Sequence, residues 1–253
     1  MTRTAFFPGN VAVSDLCVYT TETGDGVRGG TPHVHLVSTE AYVVTEGHGS
    51  LTTLGPRHAD GSGGLTETPL APGTVLWFTP GVIHRLVNHD DLRIVVIMSD
   101  SGLPEAGDAV MTFPGDVLGD PDAYAAAATL PGPGTPEAAR TAAAGIRRDL
   151  AIEGFRQLTE AVSKDPDALD VFYRQAAALV ASRTPRWLEI FEQAQDVLTR
   201  QTHAAITGIR TGDVEHLRHG TLAPAIASVG ERGFGMCGRL RTFDVTPPAP
   251  ATP

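Results

Sequence analysis

The sequence predicts a mainly β protein: an antiparallel β-barrel followed by a C-terminal α-helical segment of about three helices. Three observations carry this expectation. Up to about residue 115, runs such as Asp15–Thr20, Ala41–Thr45, Ser50–Leu54, Thr74–Phe78 and Leu92–Met98 are rich in Val, Ile, Leu, Tyr and Thr, and Gly, Pro, Asn or Asp punctuate them. Almost no helical periodicity separates these runs, so they must pair antiparallel, because parallel pairing needs long crossovers. After "LPGPGTPEAAR", residues 130–140, apolar residues recur at helical intervals instead.

Each helix has its own start signal or stripe. Thr135-Pro136 offers an N-cap and a proline at the first helical position, and Ile146, Leu150, Phe155, Leu158 and Val162 follow along one face. Leu169, Phe172, Tyr173, Ala176 and Leu179 mark the second helix. The third opens at Thr184-Pro185 and carries Leu188, Phe191, Ala194, Leu198 and Ala205. Phe234–Val245 returns to strand-like alternation behind a glycine-rich loop; it reads as a loosely packed terminal strand, with an edge strand on the barrel or on a neighbouring subunit as the alternative. The closing TPPAPATP is too proline-rich for regular structure and is expected to be disordered. The expected division is a barrel with a metal site over 1–115, a linker over 116–134, a helical extension over 135–220, and a loop, possible edge strand and tail over 221–253.

Composition narrows the function. With 42% hydrophobic residues over 253 positions the chain can bury a real core. The formal charge is −10, Lys164 is the only lysine and no arginine-rich block occurs, so nucleic acid and anionic membrane are set aside as partners. The apolar run before Pro8 is far too short for a signal peptide, and no later stretch reaches transmembrane length, so a cytoplasmic location is expected. Cys17 and Cys237, the only cysteines, read as free thiols in a reducing compartment.

The chemistry lies in "GGTPHVHLVSTEAYVVTEGHG", residues 29–49. On a strand His33 and His35 share a face with origins about 7 Å apart, so both imidazoles can converge on one ion above Val34. Four residues then let the chain turn, and Glu40 approaches the same point from the adjoining strand. In "PGTVLWFTPGVIHRLVN", residues 72–88, a strand runs into Thr79-Pro80-Gly81, where Gly81 takes positive φ, and a hairpin return aims His84 at the barrel.

These two stretches resemble the motifs of the cupin superfamily, small β-barrels of the jelly-roll type. His33, Val34, His35, four residues, Glu40, six residues and Gly47 fit the first motif from its first histidine onward; its opening glycine does not fit, Gly26 standing one place too early. Gly73, Gly81, His84 and Asn88 fit the second, with Thr79 where the family usually has proline and Pro80 next door. The resemblance extends to about residue 115 and leaves the helical part uncovered. It implies that His33, His35, Glu40 and His84 bind one divalent transition metal, of which Mn, Fe, Ni, Co, Cu and Zn are all used by the superfamily, and it implies a homodimer.

Other residues carry weaker expectations. Tyr42 shares the inward face of Glu40 and is the candidate catalytic proton donor, with a core aromatic as the alternative. One of Trp77 and Phe78 should line the barrel, packing being the expected role of either. Arg85 should be an outer-surface charge. Arg28 and Arg93 are possible contacts for an anionic substrate. His48 reads as a solvated turn residue, and His216 and His219 as surface residues. Three imidazoles and a carboxylate leave open positions on a five- or six-coordinate ion. The functional expectation is a metal-dependent enzyme acting on a small oxygen-rich substrate, of sugar isomerase or epimerase type or of dioxygenase type such as flavonol cleavage. The alternative is a module that binds or senses a sugar or organic acid through the metal without transforming it. The helices could pack outside the barrel, cap its mouth or form a dimer interface.

Overall fold

A computed structural model describes residues 7–57, 63–220, 222–225 and 227–243. The strands are β1 (Ala12–Val18), β2 (His33–His35), β3 (Glu40–Arg57), β4 (Gly63–Leu70), β5 (Val75–Phe78), β6 (Ile83–Met98), β7 (Ala109–Met111), β8 (Gly233–Phe234) and β9 (Gly238–Thr242). They form one nine-stranded sheet in the order β4-β3-β6-β1-β9-β8, with β5 on β3 and β2 between β6 and β7. Every pairing between named strands is antiparallel.

The backbone of the barrel is the long pair β3 and β6, in register from Glu40↔Met98 to Leu54↔Ile83 with irregularities between Val44 and Gly49. Bulges of this kind bend a strand. Gly47 sits in the bend at φ 70, where a Cβ would lie 2.1 Å from the Asp90 carbonyl oxygen, so only glycine fits. The runs Ala41–Thr45 and Ser50–Leu54 are therefore two halves of one bent strand. One half pairs with β5 and the other with β4. The polar β4, with Pro69, lies at the sheet edge, where proline costs no ladder bond.

The expected hairpin at Thr79-Pro80-Gly81 is not one. Gly81 does adopt positive φ, 91°, but β5 pairs with β3 and not with β6. The turn carries the chain from one edge of β3 to the other.

Two short helices, α1 (Gly115–Leu118) and α2 (Pro121–Ala128), occupy the segment expected to be a linker. Asp120 caps α2, its side chain accepting from the backbone N–H groups of Asp122 and Ala123 at 2.9 and 3.1 Å. Three longer segments follow, α3 (Glu137–Lys164), α4 (Ala168–Val180) and α5 (Thr184–Thr211), and then the short α6 (Glu215–Arg218). At the start of α3, Pro136 is extended (φ −51°, ψ 141°) and takes the N-cap place itself, and no side-chain cap closes that end.

The buried faces differ from the expected stripes. Helix α4 buries Leu169, Phe172 and Ala176 as expected. Helix α3 buries Ala144, Arg147, Arg148, Ala151, Gly154 and Phe155, and leaves Ile146 71% exposed. The two arginines turn inward because loop carbonyls receive them: Arg148 donates to Gly29 O at 3.0 Å and Arg147 to Gly235 O at 2.9 Å. In α5 Leu188 and Phe191 are exposed, and Trp187 is buried instead, its indole N–H donating to Ala106 O at 3.1 Å.

The apolar interior has two parts. An inner cluster, including Leu16, Tyr42, Leu86 and Ile94, fills the barrel. An outer cluster joins Val34, Ile83, Val110 and Phe113 to Phe155 and Phe172 of the helices. Side chains alternate across a strand, so Val34 points away from the face that carries His33 and His35. The helices thus cover the outer face of the barrel. Bonds from Thr112 to Ala151 O (2.9 Å) and from Tyr173 to Gly81 O (2.6 Å) fasten them there.

The C-terminal strand is not loosely packed. β9 pairs with β1 from Ser14↔Thr242 to Val18↔Gly238, and Cys237 and Leu240 join the inner cluster. Val245 and the proline-rich tail lie outside the described residues. Among the described residues no helix is long and apolar enough to cross a membrane.

Candidate metal centre

β2 carries His33 and His35 on one face, the register places His84 of β6 directly opposite His33, and β3 begins at Glu40. The ring centroids of His33 and His84 are 4.1 Å apart, and those of His33 and His35 are 5.2 Å apart. Glu40 Oε2 lies 3.2 Å from His84 Nε2 and 3.4 Å from His35 Nε2. One ligand atom from each of the four residues lies within 4.8 Å of every other. All four side chains are buried.

The outward nitrogen of each ring is already occupied. His33 Nδ1 is 2.8 Å from Thr31 O, His84 Nδ1 is 3.1 Å from Val82 O, and His35 Nδ1 is 2.9 Å from Asp108 Oδ1. Each acceptor takes an Nδ1–H, which turns Nε2 of all three rings toward the centre. The electrostatics fit this grouping. Burial depresses the pKa of His33 well below its ordinary value, and the neighbouring His84 and His35 depress it further. Burial also acts to lower His35, but its hydrogen bond to Asp108 and the Glu40 carboxylate beside it outweigh this and raise the ring to about 10, so a cation bound at Nε2 would displace a proton from it. For Glu40 burial acts upward, and the neighbouring His84 and His35 rings outweigh it and hold the carboxyl well below the usual range.

A metal ion fits these donors. Glu40 Oε2 and His84 Nε2 are buried 3.2 Å from each other, and neither makes a hydrogen bond, a costly arrangement unless something else engages them. Around an ion with bonds of about 2.1 Å, neighbouring donors stand about 3 Å apart and opposite ones about 4.2 Å apart, so the cluster needs only a small contraction to ligate. Nitrogen and carboxylate donors with no thiolate suit a first-row divalent ion with open positions.

Tyr42 is fully buried beside this cluster, its ring 5.4 Å from Phe78 and 6.5 Å from His84. Its hydroxyl has no hydrogen-bond partner. Burial first, and then the charge of Glu40, raises its pKa well above the ordinary tyrosine value, so the phenol is neutral. Phe78 is the member of its pair that lines the barrel, 4.4 Å from the His84 ring, whereas Trp77 is 71% exposed and packs on nothing inside.

Other expected residues lie away from the centre. Arg85 is not an outer-surface charge; it is buried against Asp25, 2.6 Å away, and Thr23, because the loop before β2 folds over it. Arg28 donates to His89 O and Arg93 pairs with Glu46 on the surface. His48 is exposed in the bulge of β3, and His219 is exposed beside Glu215. Asn88 is structural, its amide reaching Val18 O at 3.0 Å and accepting from Leu92 N–H at 3.1 Å. Cys17 and Cys237 are free; burial raises the Cys237 thiol pKa.

Two contributors escape the sequence reading. Cys237 enters the barrel interior from the C-terminal segment, close enough to Tyr42 to raise its pKa and close enough to Glu40 to have its own raised. Asp108 stands just before β7, and nothing in its local sequence marks it until β7 is known to pair with β2.

Residues 18–117 match the family model described as Cupin. No curated protein matches the chain. Among solved structures, a cupin protein from Bacteroides fragilis is 20% identical over 36% of this chain and 65% of its own, with a TM-score of 0.25. A vicilin from Solanum melongena is 23% identical over 36% and 23%, with a TM-score of 0.28. A recombinant oxalate oxidase in complex with glycolate is 18% identical over 36% and 51%, with a TM-score of 0.25. The chain thus spans less than two thirds of the length of each. The family match, the antiparallel β-fold and the three histidines and glutamate brought together within it make residues 18–117 a cupin domain.

Proposed function

We propose that this chain is a metal-dependent enzyme in which His33, His35, Glu40 and His84 hold one divalent transition metal and a small oxygen-rich molecule is the substrate. The observation that carries the reading is the group of buried polar atoms left without partners in one interior: Glu40 Oε2, His84 Nε2 and the Tyr42 hydroxyl. An ion accounts for the first two. The third is a neutral O–H donor buried beside the cluster, the property wanted of a group that donates a proton or hydrogen bond to a substrate oxygen.

The bound ion would supply Lewis acidity for an isomerase or epimerase, or, if redox-active, one-electron chemistry for a dioxygenase. The protein's part is to hold the donors in fixed tautomers, to exclude water with Phe78, Leu76 and Met98 around the inner cluster, and to present Tyr42. Burial of all four donors also suits the second reading, a module that retains a sugar or organic acid without turnover. Elemental analysis of the purified protein, followed by oxygen-uptake and sugar-isomerisation assays on metal-loaded material, separates the readings. Iron, nickel or copper with oxygen consumption supports the dioxygenase, and zinc or manganese with ketose formation supports the isomerase. A metal-loaded protein inert in both assays supports the binding module. A homodimer, implied by the cupin resemblance, belongs to the same proposal, and light scattering on the purified chain tests it.

A further inference from the structure

We propose that Asp108 is a positioning residue of the metal centre, setting both the His35 ring and the turn that delivers Glu40; this rests on the reading of the four donors as a metal site.

The three histidines are not held alike. His33 and His84 each lean on a carbonyl two residues earlier in the chain, Thr31 and Val82, just before their strands begin, a contact the local backbone supplies. His35 depends on a side chain 73 positions away, Asp108, whose Oδ1 is 2.9 Å from its Nδ1. Asp108 is fully buried. Its second oxygen accepts the Ser38 N–H at 2.9 Å, and its own carbonyl accepts the Leu36 N–H at 3.1 Å. One residue therefore grips the chain at 35, 36 and 38, the whole span between the second imidazole and the carboxylate at 40. The pairing His35↔Ala109 between β2 and β7 brings it there.

The chemistry follows from the carboxylate. It fixes the tautomer that aims Nε2 at the centre, and it makes that nitrogen a stronger donor. It also puts a second negative charge beside Glu40, so the two carboxylates together match the charge of a divalent cation in an interior where an unbalanced charge is costly. An acid that merely tied down the turn would need the bond to Ser38 and not the one to His35.

Cobalt(II) titration of the wild type and of Asp108→Asn, followed by calorimetry and by the visible ligand-field bands, tests this, with circular dichroism reporting the fold. The folded variant should bind cobalt about 10–100-fold more weakly, with shifted bands. Unchanged affinity and bands in a folded Asp108→Asn overturn the proposal. A wild type that binds no cobalt overturns the metal reading beneath it. Side-chain NMR of the zinc-loaded wild type needs no variant: the His35 Nδ1–H proton should lie downfield of those of His33 and His84, and three alike overturn the assignment.

Discussion

The ring of Phe78 lies 4.4 Å, centroid to centroid, from that of His84, and it is only partly buried. It stands beside the histidine–glutamate cluster on the inward face of β5, paired in register with Glu40. Phe78→Ala should therefore open the centre. The rate at which a chelator strips metal from the loaded protein should rise at least several-fold, while thermal unfolding shows a loss of about 2 kcal/mol, less than for a fully buried phenylalanine. An unchanged stripping rate would place the route of entry elsewhere.

Tyr42→Phe separates fold from function. The hydroxyl is buried without a partner, so its removal should leave stability unchanged or raise it by about 1 kcal/mol. If Tyr42 supplies a proton to substrate, turnover should fall by about 10²–10⁴ with metal content unaltered. Denaturant unfolding and steady-state kinetics on the same preparation check both halves.

Asp25 and Arg85 give the pH test. Burial acts to raise the Asp25 pKa, but the hydrogen bonds from Arg85 and Thr23 outweigh it, so the carboxyl is held below its ordinary value. A depressed folded pKa means that the stabilisation is complete above the unfolded value of about 4 and is lost as pH falls through the folded one. Asp25→Asn should cost about 1–3 kcal/mol at pH 7, because it strips the carboxylate from a buried guanidinium. The gap between variant and wild type in urea unfolding should narrow below about pH 4.

A chain ending after residue 118 should not behave as an independent barrel. It would expose Val34, Ile83, Val110 and Phe113, which the helices cover, and would lack β9. Size-exclusion chromatography should show aggregates, because a contiguous apolar surface of this kind drives association.

The cluster of His33, His35, Glu40 and His84 was readable in the sequence because short-range geometry governs it. Strand parity places His33 with His35, and a turn of four residues returns Glu40. What was not readable depends on distant pairing. The place of β5 is set by β3, and so the hairpin before His84 dissolved into a crossing. Arg147 and Arg148 are buried because loop carbonyls from residues 29 and 235 meet them, a fact no helical periodicity carries. Asp108 matters only once a three-residue strand has found its partner.

The seating of β9 against β1 also orders events during synthesis. Leu16 and Val18 emerge early, yet the strand that closes their open flank, with Cys237 and Leu240 behind it, is made after every helix. A nascent chain must carry this unsealed seam until residue 242 has left the ribosome, a long interval in which apolar β edges invite wrong partners. Production of this protein should accordingly respond to chaperone supply and to slower translation more than its size alone would suggest.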